Sequence, residues 1–212
     1  MATMVLPTPT TTKKGAPSIA NAPRVEFVDE DQIVLLPNAT WDDYKRFQEF
    51  VERVCRGKVR LLDGWLEIMT VSKRHEQVKK ILAYLLENFL DQQDLEWFPC
   101  GEATLEKMAD ESGGQPDESY WFDEIKTYPD LAIEIALTSG GIGKLAFYER
   151  YKIPEVWIWT EESLTAFRLT PEGYVKLESS EWVPNLDLRR LGECAKMFNP
   201  REARKQFFGD QL

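Results

Sequence analysis

Histidine and cysteine are scarce in this chain. One His and three Cys in 212 residues leave too few ligands for a zinc site built on several imidazoles or thiolates. Cys55, Cys100 and Cys194 are odd in number and far apart, which excludes a disulfide framework. No apolar run reaches the roughly 18 residues that a membrane-crossing helix needs. The opening Met1–Pro7 stretch has no basic segment followed by an apolar one, so no secretory signal is expected. A cytoplasmic chain with no membrane partner fits these absences. Positive charge is short as well, with 26 Lys and Arg against 36 Asp and Glu and a formal net charge of -10. Nucleic-acid binders usually carry a basic footprint. A nucleic-acid ligand would therefore need a local basic groove, which net charge does not report on.

What the chain does have is core-forming material. Hydrophobic residues make up 43%, with seven Trp and eleven Phe, and large aromatics dominate burial. Residues 1–23 are rich in Thr, Pro, Ala and Lys without periodicity and read as a flexible tail. Residues 24–212 read as a single domain.

Val25–Val34 holds a short strand in this reading. Thr40 caps a helix from Trp41 to about Arg56, with apolar Tyr44, Phe47, Val51 and Val54 at helical spacing. Val59–Leu62 and Trp65–Met69 flank Asp63-Gly64, a two-residue hairpin signal. Ser72 caps a helix over Lys73–Leu90, whose stripe Val78, Ile81, Leu82, Leu85, Leu86, Phe89 is the best amphipathic pattern in the chain. Glu96–Pro99 and Gln115–Phe122 are extended, with a loop at Ala109–Gly114 between them. Asp130–Leu137 and Val156–Trp159 are buried strands joined by a helix over Ile142–Lys152. That strand–helix–strand order predicts a parallel, right-handed crossover. A hairpin over Ala166–Leu169 and Tyr174–Leu177 and one or two helices within Leu186–Arg204 complete the pattern. The fold class is α/β, a mixed central β-sheet flanked by helices.

The chemistry concentrates in Pro116-Asp117, Pro129-Asp130, Glu134 and Lys144. Side chains alternate along a strand, so Asp130, Ala132, Glu134 and Ala136 share one face, while Leu131, Ile133, Ile135 and Leu137 share the other. A Glu inside a buried strand is costly unless paired or metal-bound. Alanines two residues to either side leave space over it. Magnesium favours one or two carboxylates plus water and phosphate. A bland account stands beside this one. Asp117 and Asp130 each follow a proline, as turn residues do. Glu134 also suits a buried ion pair, and Lys144 a solvated helix face. The lone His75 suits a neutral, hydrogen-bonded role as well as a catalytic one. The runs Asp29-Glu30-Asp31 and Glu161-Glu162 read as solvated surface, and Gly140-Gly141 as a turn.

Taken in order, several segments resemble the PD-(D/E)xK nuclease superfamily and, within it, the Uma family of restriction-endonuclease-like proteins. They are Leu61–Met69, Ser72–His75, Pro116-Asp117, Pro129–Ile135, Thr138-Ser139, Lys144-Leu145 with Tyr148, and Ile153–Ile158. The resemblance covers roughly Val25 to Phe198. It implies a restriction-endonuclease-like fold and a metal-dependent endonuclease that hydrolyses DNA phosphodiester bonds with Mg2+. It also implies a homodimer. Asp117 and Glu134 then match the two metal-binding acids, with Asp130 an alternative for the first. Glu76 matches an additional acid of the first helix, and His75 a recurring histidine. The superfamily lysine stands two residues after the second acid, where this chain has Ala136, and Lys144 is the replacement. The competing expectation is a nuclease-like fold without cleavage activity, acting as a nucleic-acid or protein-binding module.

Overall fold

The computed structural model describes residues 30–54, 57–93, 95–138 and 143–209. The expected tail, the first half of the Val25–Val34 strand, Cys55, and the Gly140-Gly141 turn lie outside the described residues.

The chain opens on strand β1 (Gln32–Pro37) and helix α1 (Trp41–Val54). The Thr40 hydroxyl accepts from the Asp43 amide at 3.3 Å, and Asp43 returns the bond by accepting from the Thr40 amide at 3.0 Å. This reciprocal cap starts the helix where the sequence places it. Strands β2 (Gly57–Leu62) and β3 (Trp65–Thr70) form the expected hairpin. Asp63 and Gly64 have φ of 49° and 75°, the two positive values that a type I′ turn requires. Helix α2 (Lys73–Leu90) follows, with the Ser72 hydroxyl accepting from the His75 amide.

Then come β4 (Trp97–Pro99), β5 (Leu105–Lys107), a 3-10 turn at Met108–Asp110, β6 (Ser112–Gly114) and β7 (Glu118–Phe122). Ala109–Gly114 is thus only partly loop. Its glycines lie in a buried strand because nothing larger fits there. A Cβ on Gly113 would stand 2.5 Å from the Tyr44 ring, and one on Gly114 2.9 Å from Phe147. Strand β8 (Leu131–Ile135), helix α3 (Lys144–Arg150) and strand β9 (Glu155–Trp159) make the crossover, with β8 and β9 parallel as expected. The hairpin β10 (Leu164–Thr170) and β11 (Gly173–Leu177) precedes helices α4 (Leu188–Ala195) and α5 (Pro200–Phe208).

The strands divide between two sheets. One is five-stranded in the order β1-β3-β2-β6-β5, and the other six-stranded in the order β11-β10-β9-β8-β7-β4. The second is mixed, since only β8–β9 is parallel. The Asp63-Gly64 hairpin belongs to the first sheet rather than to the sheet of the crossover. The fold is α/β, consistent with a restriction-endonuclease-like domain.

Two cores lie on opposite faces of the second sheet. On one face Val78, Leu82, Leu85 and Leu86 of α2 pack on Leu131, Ile133, Ile135, Trp157 and Trp159, with α4 and α5 alongside. Each such aliphatic side chain contributes roughly 1.5–3 kcal/mol by leaving water. On the other face Ala132 and Val156 meet Phe147, Tyr148 and Tyr151 of and after α3, together with Leu62 and Leu105 from the first sheet. Val59 and Leu61 of β2 turn the other way, onto Tyr44 and Val51 of α1. Period-two alternation therefore aims Lys58, Arg60 and Leu62 at the seam between the sheets. Among the described residues no helix is long and apolar enough to cross a membrane.

Candidate active site

In the antiparallel pair β7–β8, Glu118 lies opposite Ile133. One step outward, Asp117 comes opposite Glu134, and directly opposed residues project to the same face. Backbone geometry locks this register. The Asp117 amide donates to the Ile133 carbonyl at 3.0 Å, and the Ile135 amide donates to Asp117 Oδ2 at 2.7 Å. Both carboxylates are buried, with 1% exposure each.

Four cationic side chains from three other elements meet them. From β2, Lys58 Nζ donates to Asp117 Oδ1 at 2.6 Å and to the Pro116 carbonyl at 2.8 Å. Arg60, two residues on, donates through Nη2 to Glu134 Oε1. Its guanidinium lies over the Phe147 ring at 4.7 Å, while Nε and Nη1 make no hydrogen bond among the described residues. Lys144, the first residue of α3, places Nζ 2.5 Å from Glu134 Oε2. One turn later the Tyr148 hydroxyl donates to Glu134 Oε1. The space that Ala132 and Ala136 leave over Glu134 is thus shared by a guanidinium, an ammonium and a phenol.

His75, in the first turn of α2, bridges two acids. Nε2 stands 2.9 Å from Asp117 Oδ1 and Nδ1 2.7 Å from Asp31 Oδ2. Asp31 is held in turn by the Ser72 amide, which donates to Oδ1 at 2.8 Å. With carboxylate oxygens on both nitrogens the ring must donate from both, so it is the imidazolium. Burial works against that charge, but the hydrogen bonds to Asp117 and Asp31 outweigh it and push the His75 pKa up to about 9. The two site acids shift the other way. Burial raises both, yet the Lys58 charge and the His75 hydrogen bond hold Asp117 well below the usual carboxylate range. For Glu134, burial is overcome by the Arg60 and Lys144 charges, which lower it despite the neighbouring Asp117. Burial and the Glu134 charge push the Tyr148 phenol far up, so it remains a donor. At neutral pH the cluster therefore consists of ionised carboxylates with charged partners.

The cluster reaches solvent through its lysines. The side chains of Lys58 and Lys144 are 10% and 17% exposed. At the rim Glu102 takes Lys79 at 2.6 Å and stands 3.8 Å from Lys58, and Lys79 also meets Glu76 at 2.8 Å.

The structure thus brings Asp117, Glu134, Lys144 and His75 together. Glu76 stays at the rim, paired with Lys79 and not grouped with the two buried acids. Asp130 is elsewhere, at the far end of β8, where it takes Lys126 at 2.9 Å and the Phe122 amide at 2.9 Å. Of the two roles left open for His75, the hydrogen-bonded one is present, with carboxylates on both ring nitrogens rather than a neutral setting. Asp31 is buried rather than solvated, because His75 and the Ser72 amide draw it in. Sequence reasoning missed Lys58, Arg60 and Asp31. A signal existed for the first two, since Lys-Val-Arg-Leu-Leu carries its charges two apart on one face of a strand.

Two opposed carboxylates suit a hard divalent cation that keeps water and phosphate among its ligands. Asp117 Oδ2 and Glu134 Oε2 each accept one bond among the described residues, which leaves a lone pair on each for an ion. Among those residues no group of three or more His, Cys, Asp and Glu is disposed to hold a metal, so an all-protein cage does not fit. No curated protein matches the chain. A family model, Uma2, described as "Putative restriction endonuclease", matches residues 41–192.

Proposed function

Since the chain belongs to the Uma2 family, we propose that it is a metal-dependent endonuclease that hydrolyses DNA phosphodiester bonds at the Asp117–Glu134 cluster. Asp117 and Glu134 would hold Mg2+. A magnesium ion bound by them supplies neutralisation of phosphate charge and a more acidic water. The single observation that carries the reading is the Lys144 ammonium on Glu134, which restores from the helix the acid–lysine contact that Ala136 cannot make.

The chain's own groups have distinct tasks in this reading. Lys144 is partly exposed and hydrogen-bonded to an acid, so it can offer its remaining N–H groups to a phosphate oxygen or to the attacking water. Lys58 does the same beside Asp117. Arg60 and Tyr148 hold Glu134 in one orientation, and His75 holds Asp117. DNA as substrate, magnesium as the ion, a homodimer and a cytoplasmic setting belong to this reading and rest on the family likeness.

The test is nicking of supercoiled plasmid by purified protein with magnesium. Wild type is expected to nick. Glu134→Ala should lose the activity, and Lys144→Met, at a partly exposed position, should lose about 100-fold or more. Equal rates in all three proteins would remove the assignment. A second reading, a nuclease-like fold that binds without cutting, is favoured by one observation. Every oxygen of the two carboxylates already accepts from a cation, a phenol or an amide. Magnesium calorimetry separates the two. Binding that Asp117→Ala abolishes supports the enzyme, and no heat in wild type supports the module.

A further inference from the structure

Away from the carboxylates, α5 packs on α2 through Ala203 and Phe207. The helices leave a groove of about 750 Å³ between them, within the range of roughly 300–1,000 Å³ usual for ligand clefts. Helical spacing decides what lines it. Arg201, Arg204, Lys205 and Phe208 stand at i, i+3, i+4 and i+7 on α5, and Lys80 and Tyr84 at i and i+4 on α2. Four cations and two aromatic rings converge, and among the described residues that line the groove there is no carboxylate.

In a chain of net charge -10 such a one-signed cleft is a local exception. Cations gathered in one concavity repel one another and attract a polyanion. Among the described residues Arg201 and Arg204 make no ion pair with a carboxylate, and Arg204 rests over the Phe208 ring at 5.9 Å. Lys80 is 70% exposed, with Glu118 at 3.6 Å. Tyr84 also faces solvent. Helix α5 lies beyond the residues that the family match covers, so the family likeness does not account for this groove.

We propose that the α2–α5 groove binds a single strand of nucleic acid. Lys80, Arg201, Arg204 and Lys205 meet its phosphates, and bases rest against Tyr84 and Phe208. The aromatic rings select the single strand, because a duplex keeps its base faces stacked and out of reach. They also set nucleic acid above an acidic peptide, which would use the cations alone. Helix α2 runs past both the groove and the rim of the carboxylate cluster. Lys79 turns into the Glu76–Glu102 rim, and its neighbour Lys80 turns into the groove. One helix thus presents both surfaces. The proposal goes beyond the cleavage reading and does not depend on it.

The test measures binding with metal chelated, so that failure of cleavage cannot be mistaken for failure of the groove. Fluorescence anisotropy of the full chain in EDTA would use a labelled 15-nucleotide oligo(dT) and a 15-base-pair duplex. Oligo(dT) should bind more tightly than duplex. The double variant Arg201→Glu, Arg204→Glu should weaken it at least tenfold. It should also lower the log–log salt slope by about 1.4, the value for two lost single-strand phosphate contacts. Tyr84→Ala, which changes no charge, should weaken binding roughly tenfold. Arg168→Glu, on strand β10, should leave it unchanged. No binding by wild type, no loss in the groove variants, equal binding of duplex, or displacement by poly-glutamate as readily as by unlabelled oligo(dT) would each overturn the proposal.

Discussion

The two ends of the β7–β8 hairpin carry the same dipeptide to different ends. Asp117 and Asp130 both follow a proline and both are buried. Asp130 takes partners four and eight residues away, Lys126 and the Phe122 amide. Together with the Trp121 indole, which donates to the Tyr128 carbonyl at 3.1 Å, they close a local turn. Asp117 takes partners 59, 42 and 18 residues away, from β2, α2 and β8. Its position exists only once three separately formed elements have docked. Desolvating such a cluster costs about as much as its pairing returns. The turn end is accounted for by folding alone. The cluster end returns little net stability for the charges it buries.

The strongest way to break this comparison is to remove a cation from each end. Arg60→Met takes one of two cations from the buried Glu134 carboxylate, which keeps Lys144 and Tyr148, and loss of one partner of a buried pair is expected to cost about 3 kcal/mol. Urea denaturation in EDTA would show it as a lower midpoint at unchanged slope. Arg60→Met with Glu134→Gln should recover part of the loss, because the charge that Arg60 balanced is then gone while Lys144 loses its partner. If Arg60→Met cost no more than the same operation at the turn end, the two ends would be energetically alike.

The difference also decides what could be read before the fold was known. Elements governed by neighbours in the chain were legible. Ser72 capping α2, Asp63-Gly64 at the I′ turn and the β8–α3–β9 crossover all follow from local chemistry. Strand alternation singled out Glu134, with Asp130 beside it on the same face, and only the family likeness added Asp117 and Lys144. What escaped was non-local. Ser112–Gly114 reads as loop until Tyr44 and Phe147 are seen to occupy the space of its missing Cβ atoms. Asp31 reads as surface until His75 folds over it. Lys58 and Arg60 belong to a different sheet, and no sequence period links one sheet to another.

A sharper test uses proton linkage, because the only histidine lies at the cluster end. The folded-state pKa of His75 is about 9, above the ordinary 6.5 of the unfolded chain. A raised cationic pKa contributes stability that is fully present below about pH 6.5 and lost as pH rises through about 9. Asp117 has the opposite sign. Its lowered pKa contributes stability above the ordinary carboxylate range that is lost as the solution becomes more acid. Urea midpoints from pH 6 to pH 10, wild type against His75→Gln in EDTA, isolate the histidine. The stability difference should shrink by on the order of 2 kcal/mol across that window. A constant difference would mean that the ring is not charged in the folded protein.

The smallest effect belongs to the turn end. Lys126 meets both oxygens of Asp130 at 2.9 Å, but its side chain is 36% exposed. Water and salt screen a pair at that exposure, and the Phe122 amide keeps its bond to Asp130 when the lysine is gone. Lys126→Ala should therefore cost under about 1 kcal/mol and lose that cost in high salt. Plasmid nicking per folded molecule should match wild type, because none of the groups on Asp117 or Glu134 is touched. A nicking defect as large as that of Lys144→Met would show that the two ends are coupled through the hairpin, and that Asp130 belongs to the site after all.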